Sequence, residues 1–261
     1  MTEEDVAVLA AEAAARIQRE AARAGGPTGA RQKGAVDWVT DVDLRCEAAV
    51  REVLARHTPE IPVLGEEGGG AEGATTRWVV DPLDGTTNFV RGFPVHAVSV
   101  GPEVDGEPRV GAIIDVPRGV VYRGTLGRGA TANGAPLRVS DTRDLGQALC
   151  ATGFPYDRQQ KAAFYLRLVE AFLVRTQGVR RAGAAALDLS WLAAGHVDVY
   201  WEFHLGRWDV VAGIALVRAA GGTVDALPGF ALDARPCPLA TNGWLQEAAA
   251  ALIRQVLEER G

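Results

Sequence analysis

The most informative segment of this 261-residue chain is Trp78-Val79-Val80-Asp81-Pro82-Leu83-Asp84-Gly85-Thr86-Thr87-Asn88-Phe89. It opens with three large apolar residues, which are typical of a buried strand, and it leads into a predicted helix. Pro82 fixes φ and has no N–H, and Gly85 permits a backbone turn that other residues resist. Asp81 and Asp84 are therefore expected to point to one side of this turn, with the free carbonyl of Leu83 between them.

The same turn also predicts an anion site. The backbone N–H groups of Gly85 and Thr86 directly follow the two acids. They lie at the start of the predicted helix, where the helix dipole favours negative charge. One short segment therefore offers oxygen ligands for a cation beside N–H groups for a phosphate.

Further acids are found where apolar segments end or helices begin, namely Glu66 and Glu67, the trio Asp37, Asp41 and Asp43, and Asp209. Two carboxylates about 4 Å apart, at an effective dielectric constant of about 20, repel each other by about 4 kcal/mol. If these acids converge, protons or cations must neutralise them. The acidic segments contain no His or Cys, so they predict Mg²⁺ or Mn²⁺ rather than Zn²⁺. Taken singly, each acid is explained as a helix cap or a solvated side chain, and we keep that explanation for Asp41.

Composition narrows the class of protein. With 27 basic and 33 acidic residues the formal net charge is −6, and 48% of the residues are hydrophobic. This is the composition of a globular protein, and the acidic excess argues against a non-specific nucleic-acid binder. There is no apolar run of about 18 residues, and the chain opens with acidic rather than basic residues. We therefore expect a cytoplasmic protein without a membrane partner, in which Cys46, Cys150 and Cys237 are unpaired.

Hydrophobic periodicity divides the chain into two halves. Helices are predicted from Thr2 to about residue 25 and at 43–57, 157–176, 184–194, 209–220 and 245–259; strands are predicted at 61–64, 78–80, 95–100, 110–116, 120–124, around 179 and at 197–201. Residues 1–140 combine helices with a meandering sheet and carry most of the candidate metal ligands. Residues 141–261 alternate helices and strands and carry Asp209. The expected class is α+β or α/β.

These segments make the chain resemble, over nearly its whole length, the inositol monophosphatase family of magnesium-dependent, lithium-sensitive sugar and cyclitol phosphatases. The segment from Trp78 to Phe89 is similar to the first family signature, and Trp208-Asp209-Val210-Val211-Ala212-Gly213 is similar to the second. Gly65-Glu66-Glu67 and the segment from Lys33 through Asp43 resemble the remaining active-site segments. The resemblance implies a layered α-β-α-β-α sandwich of the inositol monophosphatase and fructose-1,6-bisphosphatase type, and a homodimer.

The resemblance also implies a metal arrangement. Glu66, Asp81 and the carbonyl of Leu83 would hold a first Mg²⁺, and Asp81, Asp84 and Asp209 would hold a second. A third, weaker ion would lie near Glu66 through waters. Two to three ions are therefore expected, and Mn²⁺ can replace Mg²⁺.

The family's catalytic and substrate residues carry over in the same way. The resemblance implies catalytic roles for Glu66, Thr86, Asp43 and Asp209, with Thr86 and Asp43 as the pair that helps to deprotonate the attacking water. It implies that substrate is bound by Gly85, Thr86, Gly183, Ala184, Ala185, Glu202 and Asp209. It further implies supporting roles for Lys33, Asp37, Glu67 and Trp208.

The substrate is less constrained by the sequence. Inositol monophosphate is favoured, with histidinol phosphate next and other sugar monophosphates or bisphosphates as further alternatives. No compact Arg/Lys cluster is evident near Glu202, and the pair Arg180-Arg181 is interpreted mainly as a solvated strand end. Many relatives carry Ser or Thr where this chain has Ala184, and Arg207 is a candidate contact to substrate or to a second subunit. A non-catalytic binding module is the alternative of a different class, and a nucleic-acid partner is not expected.

Overall fold

A computed structural model describes residues 1–27, 31–34, 37–71 and 73–258, without the side chains of residues 32–34 and 37. The predicted supporting residues Lys33 and Asp37 have side chains that lie outside this description. The chain forms helices and strands in a regular layered order, and the described part contains seven α-helices. These are α1 Glu3–Arg23, α2 Asp41–His57, α3 Thr86–Val90, α4 Arg158–Leu173, α5 Ala185–Ala193, α6 Arg207–Ala219 and α7 Gln246–Glu258. A short 3-10 helix spans Leu145–Gln147.

The same part of the chain contains fifteen strands. These are β1 Arg31–Gly34, β2 Asp37–Val39, β3 Val63–Gly65, β4 Thr76–Asp84, β5 Ala97–Val104, β6 Glu107–Pro108, β7 Val110–Asp115, β8 Val120–Thr125, β9 Gly129–Ala132, β10 Ala135–Leu137, β11 Leu149–Thr152, β12 Gly178–Arg180, β13 Val199–Trp201, β14 Thr223–Ala226 and β15 Pro238–Thr241. β1 and β2 form a hairpin. A first large sheet has the order β10-β9-β8-β7-β5-β4-β3, with β6 paired to β5, and a second has the order β12-β11-β13-β15-β14.

The helices cover the two sheets in layers. α1 and α2 pack on one face of the first sheet, and α5 and α6 lie between the two sheets. α4 and α7 cover the outer face of the second sheet. α6 can approach the first sheet closely because Gly111 has no side chain. A Cβ at this position would collide with the carbonyl oxygen of Ala212. The predicted α-β-α-β-α sandwich is therefore confirmed.

Helix α1 connects the outer layer to the acidic turn. Thr2 caps the helix in a reciprocal pair of hydrogen bonds with Asp5, and a face rich in alanine packs on the first sheet. Near its end, the fully buried Gln18 donates a hydrogen bond to the carbonyl of Pro82 at 2.8 Å and contacts Nδ1 of His96 at 2.8 Å. His96, just before β5, is thus a buried residue packed against α1.

Most predicted boundaries differ from the observed ones by a few residues, and two of these differences lie beside the acidic turn. The strand expected to end at Asp81 continues to Asp84, and its pairing with β5 becomes irregular between these two residues because Pro82 cannot donate to the ladder. Helix α2 begins two residues earlier than predicted, because Thr40 accepts hydrogen bonds from the N–H groups of Val42 and Asp43. Asp43 therefore lies in the first turn of the helix rather than at its first position.

Two further predictions concern the three cysteines and the division of the chain into two halves. Cys46, Cys150 and Cys237 are buried and unpaired in the described structure, as predicted. The boundary predicted near Ser140 falls between the two sheets, while α5 and α6 share one core with the first sheet. The division into residues 1–140 and 141–261 stays a prediction.

Candidate active site

Three predicted metal ligands meet at the place where the two halves of the chain pack together. Asp81 and Asp84 come from β4, and Asp209 comes from the first turn of α6. One carboxylate oxygen from each lies within 4.8 Å of the others. All three line a cavity of about 630 Å³. The cavity therefore has an acidic floor contributed by residues far apart in sequence.

Backbone N–H groups fix the orientation of these carboxylates. Asp81 accepts a hydrogen bond from the N–H of Leu83 at 3.0 Å. Asp84 accepts one from the N–H of Ala186 at 2.8 Å, and Asp209 accepts one from the N–H of Gly206 at 2.6 Å. Asp209 thus caps α6, so the ordinary interpretation of an acid at a helix start applies together with its place in the cluster.

Burial and mutual repulsion make these acids difficult to ionise. Burial raises the pKa of Asp81 well above its usual range, and the charges of Glu66, Asp84 and Asp209 raise it further. Burial also raises the pKa of Asp209 well above its usual range, and Glu66 and Asp84 add to the effect. For Asp84, burial raises the pKa to about 6 although backbone N–H groups oppose the shift. A divalent cation would remove this repulsion.

The donors present fit a hard divalent cation. The described cluster supplies carboxylate oxygens only, which is the ligand set preferred by Mg²⁺. Glu66 lines the same cavity and acts electrostatically on both Asp81 and Asp209. The carbonyl of Leu83 also lines the cavity, beside the hydroxyl of Thr86. The predicted ligands therefore lie in one place, and an acidic cluster that can hold a metal is present.

A buried carboxylate lies behind the threonine of the turn. The hydroxyl of Thr86 is 3.0 Å from Oδ1 of Asp43 and 3.1 Å from the carbonyl oxygen of Leu83. The second oxygen of Asp43 accepts hydrogen bonds from the N–H and the hydroxyl of Thr40, at 2.8 and 2.5 Å. Burial raises the pKa of Asp43, which these hydrogen bonds oppose. The pair predicted to move a proton is therefore formed, with Thr86 between Asp43 and the cavity.

The backbone at the end of β4 forms another wall of the cavity. Gly85 has a φ of +88°, and a Cβ there would lie 2.9 Å from the carbonyl oxygen of Val95. Asn88 donates to the carbonyl oxygens of Val95 and Ala182, at 2.8 and 3.0 Å, which joins α3 to the segment before α5. As a result, the predicted substrate-binding residues Gly85, Thr86, Gly183, Ala184 and Ala185 all line the cavity.

Glu202 contributes an acid on the substrate side. It follows β13, is buried, and accepts a hydrogen bond from the hydroxyl of Tyr200 at 2.7 Å. Burial raises its pKa to about 7, whereas the Tyr200 hydrogen bond and the charge of Arg181 lower it. A side chain at Gly153 would overlap the Glu202 carboxyl group, so glycine there makes room for this acid. Glu202 is thus held at the cavity wall by its neighbours.

Comparison with known proteins identifies the family. The model of the inositol monophosphatase family matches residues 1–258. The chain belongs to the inositol monophosphatase family. Nus factor SuhB of Pseudomonas aeruginosa is 43% identical over 204 residues, which are 76% of this chain and 75% of that protein. Nus factor SuhB of Escherichia coli K12 is 42% identical over 202 residues, covering 77% and 76%.

Solved structures agree with this assignment. The inositol monophosphatase from Anabaena (Nostoc) sp. PCC 7120 superposes with a TM-score of 0.87 at 39% identity, covering 97% of this chain and 95% of that one. The extragenic suppressor protein suhB from Bartonella henselae gives a TM-score of 0.88 at 33% identity, covering 96% and 98%. Among the described residues, none of the helices has the length and apolar character needed to cross a membrane.

Sequence reasoning missed a residue that supports the metal-binding side of this family member. Glu47 is 3% exposed and accepts hydrogen bonds from the N–H groups of Glu67 and Gly68, at 2.8 and 2.9 Å. It also pairs with Arg51 at 2.8 Å, one helical turn away. This arrangement holds the loop that follows Glu66. The i,i+4 pair is visible in sequence, but nothing local distinguishes it from a solvated pair.

The supporting residues differ in their placement. Trp208 lines the cavity next to Asp209, and its supporting role stays a prediction. Glu67 is not among the residues that line the cavity, and its supporting role stays a prediction. Arg207, a candidate contact to substrate or to a second subunit, does not line the cavity, and its contact with a second subunit stays a prediction. It is buried, pairs with Glu103 and donates to the carbonyl of Leu232 at 2.8 Å, because its side chain turns toward the first sheet.

The rim of the cavity is more basic than the sequence indicated. Arg158, Arg181 and Arg235 all line it, although they come from three separate segments. The fold therefore brings arginines from distant segments to the cavity that Glu202 lines, and Arg181 acts electrostatically on Glu202. His204 also lines the cavity and has a φ of +54°, which is uncommon for a residue other than glycine.

Proposed function

We propose that this member of the inositol monophosphatase family is a Mg²⁺-dependent phosphomonoesterase that hydrolyses inositol monophosphate to inositol and phosphate. One observation carries the proposal. The Asp81, Asp84 and Asp209 carboxylates lie within 4.8 Å of one another, in the same cavity as the Thr86–Asp43 pair. This arrangement supports a single site that combines cation ligands, a proton acceptor and space for a phosphate group.

The metal ligands are proposed as the resemblance assigned them. Glu66, Asp81 and the Leu83 carbonyl would hold one ion, Asp81, Asp84 and Asp209 would hold a second, and a third would be held near Glu66. When bound, Mg²⁺ supplies positive charge that lowers the pKa of water and balances the charge that develops on phosphate oxygens. Mn²⁺ has the same oxygen preference and is proposed as a substitute.

The protein's own groups place and move the proton. Thr86 Oγ1 takes a proton from the attacking water while its own proton passes to Oδ1 of Asp43, 3.0 Å away. The hydrogen bonds from Thr40 keep Asp43 in the orientation that receives it. Asp209, in the same acidic cluster, orients the leaving oxygen. In-line displacement requires that both the attacking water and the leaving oxygen are held in position.

Substrate is held by backbone on one side and by an acid on the other. The N–H groups of Gly85 and Thr86 bind the phosphate, and Gly183, Ala184 and Ala185 complete that wall. Glu202 accepts a hydrogen bond from a substrate hydroxyl. Because residue 184 is alanine, that position offers no hydroxyl to substrate. The resemblance also supports lithium inhibition, a homodimer and a cytoplasmic location.

Two alternatives are supported by particular observations. Glu202 can pair with an ammonium group, which favours histidinol phosphate as the second substrate candidate. The curated relatives carry the name Nus factor SuhB, which supports a binding role of the chain in transcription. That role would be independent of catalysis or additional to it.

Phosphate release tests the proposal. Myo-inositol 1-phosphate, histidinol phosphate and glycerol 2-phosphate are assayed with Mg²⁺ and with excess EDTA. We expect the highest kcat/KM for the inositol ester, no release in EDTA, and loss of turnover in folded Asp81→Asn and Asp209→Asn. The exposed Asp225→Asn serves as the matched control and keeps full activity. Near-normal hydrolysis by Asp81→Asn, or none by the wild-type protein, overturns the assignment.

A further inference from the structure

One polar residue interrupts the buried face of helix α1. This face carries alanine at positions 7, 10, 11, 14 and 15, and the next residue on it is Gln18, which is 0% exposed. A buried amide is costly unless its donors and its acceptor find partners. No step of the proposed reaction uses this side chain, although its partners lie beside the acidic turn.

The Gln18 amide bridges an irregularity in the first sheet. The pairing of β4 with β5 shifts in register between Asp81 and Asp84, where β4 contains one residue more than its partner, as in a β-bulge. Nε2 of Gln18 donates to the carbonyl oxygens of Pro82 on β4 and Ala97 on β5, at 2.8 and 3.4 Å. A side chain of α1 thus connects the two strands at the point where their own pairing is interrupted.

His96 holds the Gln18 amide in this orientation. Nδ1 of His96 lies 2.8 Å from Oε1 of Gln18. Because the NH₂ group of Gln18 donates to carbonyl groups, its oxygen is the acceptor in this contact, and Nδ1 of His96 carries a proton. The His96 ring is itself buried and packs edge-on against Phe89, with ring centroids 5.1 Å apart. Both ends of the Gln18 amide therefore have partners, and its orientation is fixed.

A single peptide group connects Gln18 to a predicted metal ligand. The carbonyl of Pro82 and the N–H of Leu83 belong to the same planar group, so that fixing one also fixes the other. The carbonyl accepts the hydrogen bond from Gln18, and the N–H donates to Oδ1 of Asp81 at 3.0 Å. The following carbonyl, that of Leu83, lies 3.1 Å from the hydroxyl of Thr86 at the cavity. Gln18 thus acts on the Asp81 carboxylate through two hydrogen bonds and one peptide plane.

We propose that Gln18 is a positioning residue for the metal site, which holds the Pro82–Leu83 peptide group so that the Asp81 carboxylate and the Leu83 carbonyl face the ions. This inference rests on the proposed function, in which these two groups bind one Mg²⁺. Without the amide, the Pro82 carbonyl loses a buried donor, and the peptide group can rotate away from Asp81. Groups that orient metal ligands by hydrogen bonds typically contribute about 10- to 100-fold to metal affinity.

Binding of Mn²⁺ alone, measured by isothermal titration calorimetry, tests this role without any turnover. Gln18→Met keeps the length of the side chain but lacks the amide, and we expect it to raise the Mn²⁺ dissociation constant about 10- to 100-fold. Gln18→Glu keeps the shape and, as a buried neutral acid, one donor for the Pro82 carbonyl. Its dissociation constant should therefore lie between those of the wild type and Gln18→Met. The Mg²⁺ concentration that gives half-maximal phosphate release should rise in the same order.

Thr58→Val is the matched control, because it also removes a buried hydrogen bond to β4. The Thr58 hydroxyl accepts from Nε1 of Trp78 at 2.9 Å, near the end of the strand away from the acidic turn. Urea denaturation should show a loss of stability in both Thr58→Val and Gln18→Met. The Mn²⁺ dissociation constant of Thr58→Val, by contrast, should stay within twofold of the wild-type value.

A dissociation constant for Gln18→Met within twofold of the wild type, or equal weakening in Gln18→Met and Thr58→Val, overturns the positioning role and leaves the proposed phosphatase intact. If Gln18→Met does not fold, Gln18→Glu decides in its place: binding more than twofold weaker than the wild type supports the role, and wild-type binding overturns it. Mn²⁺ binding by the wild type without phosphate release refutes the proposed function, while the variants still decide the role of Gln18. A wild-type protein that binds no Mn²⁺ refutes both.

Discussion

The hydroxyl of Thr86 lies 3.0 Å from Oδ1 of Asp43, a residue 43 positions earlier in the chain. The contact connects the end of the acidic turn to the first turn of α2, and Thr40 holds the far oxygen of Asp43. A buried carboxylate therefore reaches the cavity only through a hydroxyl group. This relationship is the basis of the proton transfer proposed above.

Removing the Thr86 hydroxyl should impair chemistry more than binding. For Thr86→Ala we expect kcat for phosphate release to fall by about 10² to 10⁴, because general-base assistance is lost, while KM changes little. Thr86→Ser keeps the hydroxyl and should retain most of the activity. Asp41→Asn, on the same helical turn as Asp43, is the control and should behave like the wild type. A kcat for Thr86→Ala within threefold of the wild-type value contradicts the assignment.

Helix α2 offers a matched pair of glutamates for a test of stability. Glu47 is 3% exposed and holds the loop after Glu66, whereas the side chains of Glu52 and Arg56 form an ion pair with 70% and 67% exposure. Glu47→Ala removes the acceptor of the Glu67 and Gly68 N–H groups and the carboxylate that pairs with Arg51. We expect it to lower the free energy of unfolding by about 3 kcal/mol and to weaken Mg²⁺ binding.

Glu52→Ala should change the free energy of unfolding by less than about 0.5 kcal/mol, since exposed pairs contribute little. Urea denaturation followed by circular dichroism measures both variants. Equal losses for the two variants would mean that the buried acceptor does not support the loop.

His96 should make the protein sensitive to acid. Burial lowers its pKa from 6.5 to about 4, so the unfolded chain binds a proton that the folded chain does not. Stability from this residue is present above pH 6.5 and is lost as the pH falls toward 4. In metal-free protein, the wild type should lose about 3 kcal/mol more than His96→Gln over this interval. Parallel pH profiles of unfolding free energy for the two proteins would refute this prediction.

Mg²⁺ should stabilise the protein most where the acids are ionised. The raised pKa of Asp84, about 6, means that this group stabilises the metal-free fold at low pH and that its contribution is lost as the pH rises through 6. The rise in Tm caused by 5 mM Mg²⁺ should therefore be larger at pH 7.5 than at pH 5. Calorimetry of the wild type and Asp84→Asn measures this rise, which at pH 7.5 should be smaller in the variant than in the wild type. A wild-type rise that is independent of pH contradicts the account.

Local patterns made part of this site predictable. The apolar strand, Pro82 and Gly85 lie within a few residues of Asp81 and Asp84, so their shared turn follows from short-range constraints. The start of α6 at Asp209 could be read from an acid before an apolar helix. The roles of Glu66, Asp43 and Glu202 came from the family resemblance, because no local pattern connects them.

Other features depend on contacts that sequence does not display. Gln18 and Glu47 act on loops far along the chain, and the three arginines of the rim come from separate segments. Several short strands were not predicted, among them β11 and β15. Each of these two has four residues, almost all of them buried, and so shows no alternation of apolar and polar positions. Long-range packing determined these parts of the structure.

The central claim is that Asp81, Asp84 and Asp209 hold divalent cations. Anomalous diffraction from crystals grown in Mn²⁺ tests it directly, because each bound ion gives its own peak. We predict at least two peaks in the acidic floor of the cavity, about 2.0–2.3 Å from carboxylate oxygens of these residues. At the same Mn²⁺ concentration, Asp209→Asn should lose one of the two. An anomalous map of the wild type without a peak within 3 Å of these oxygens would contradict the claim.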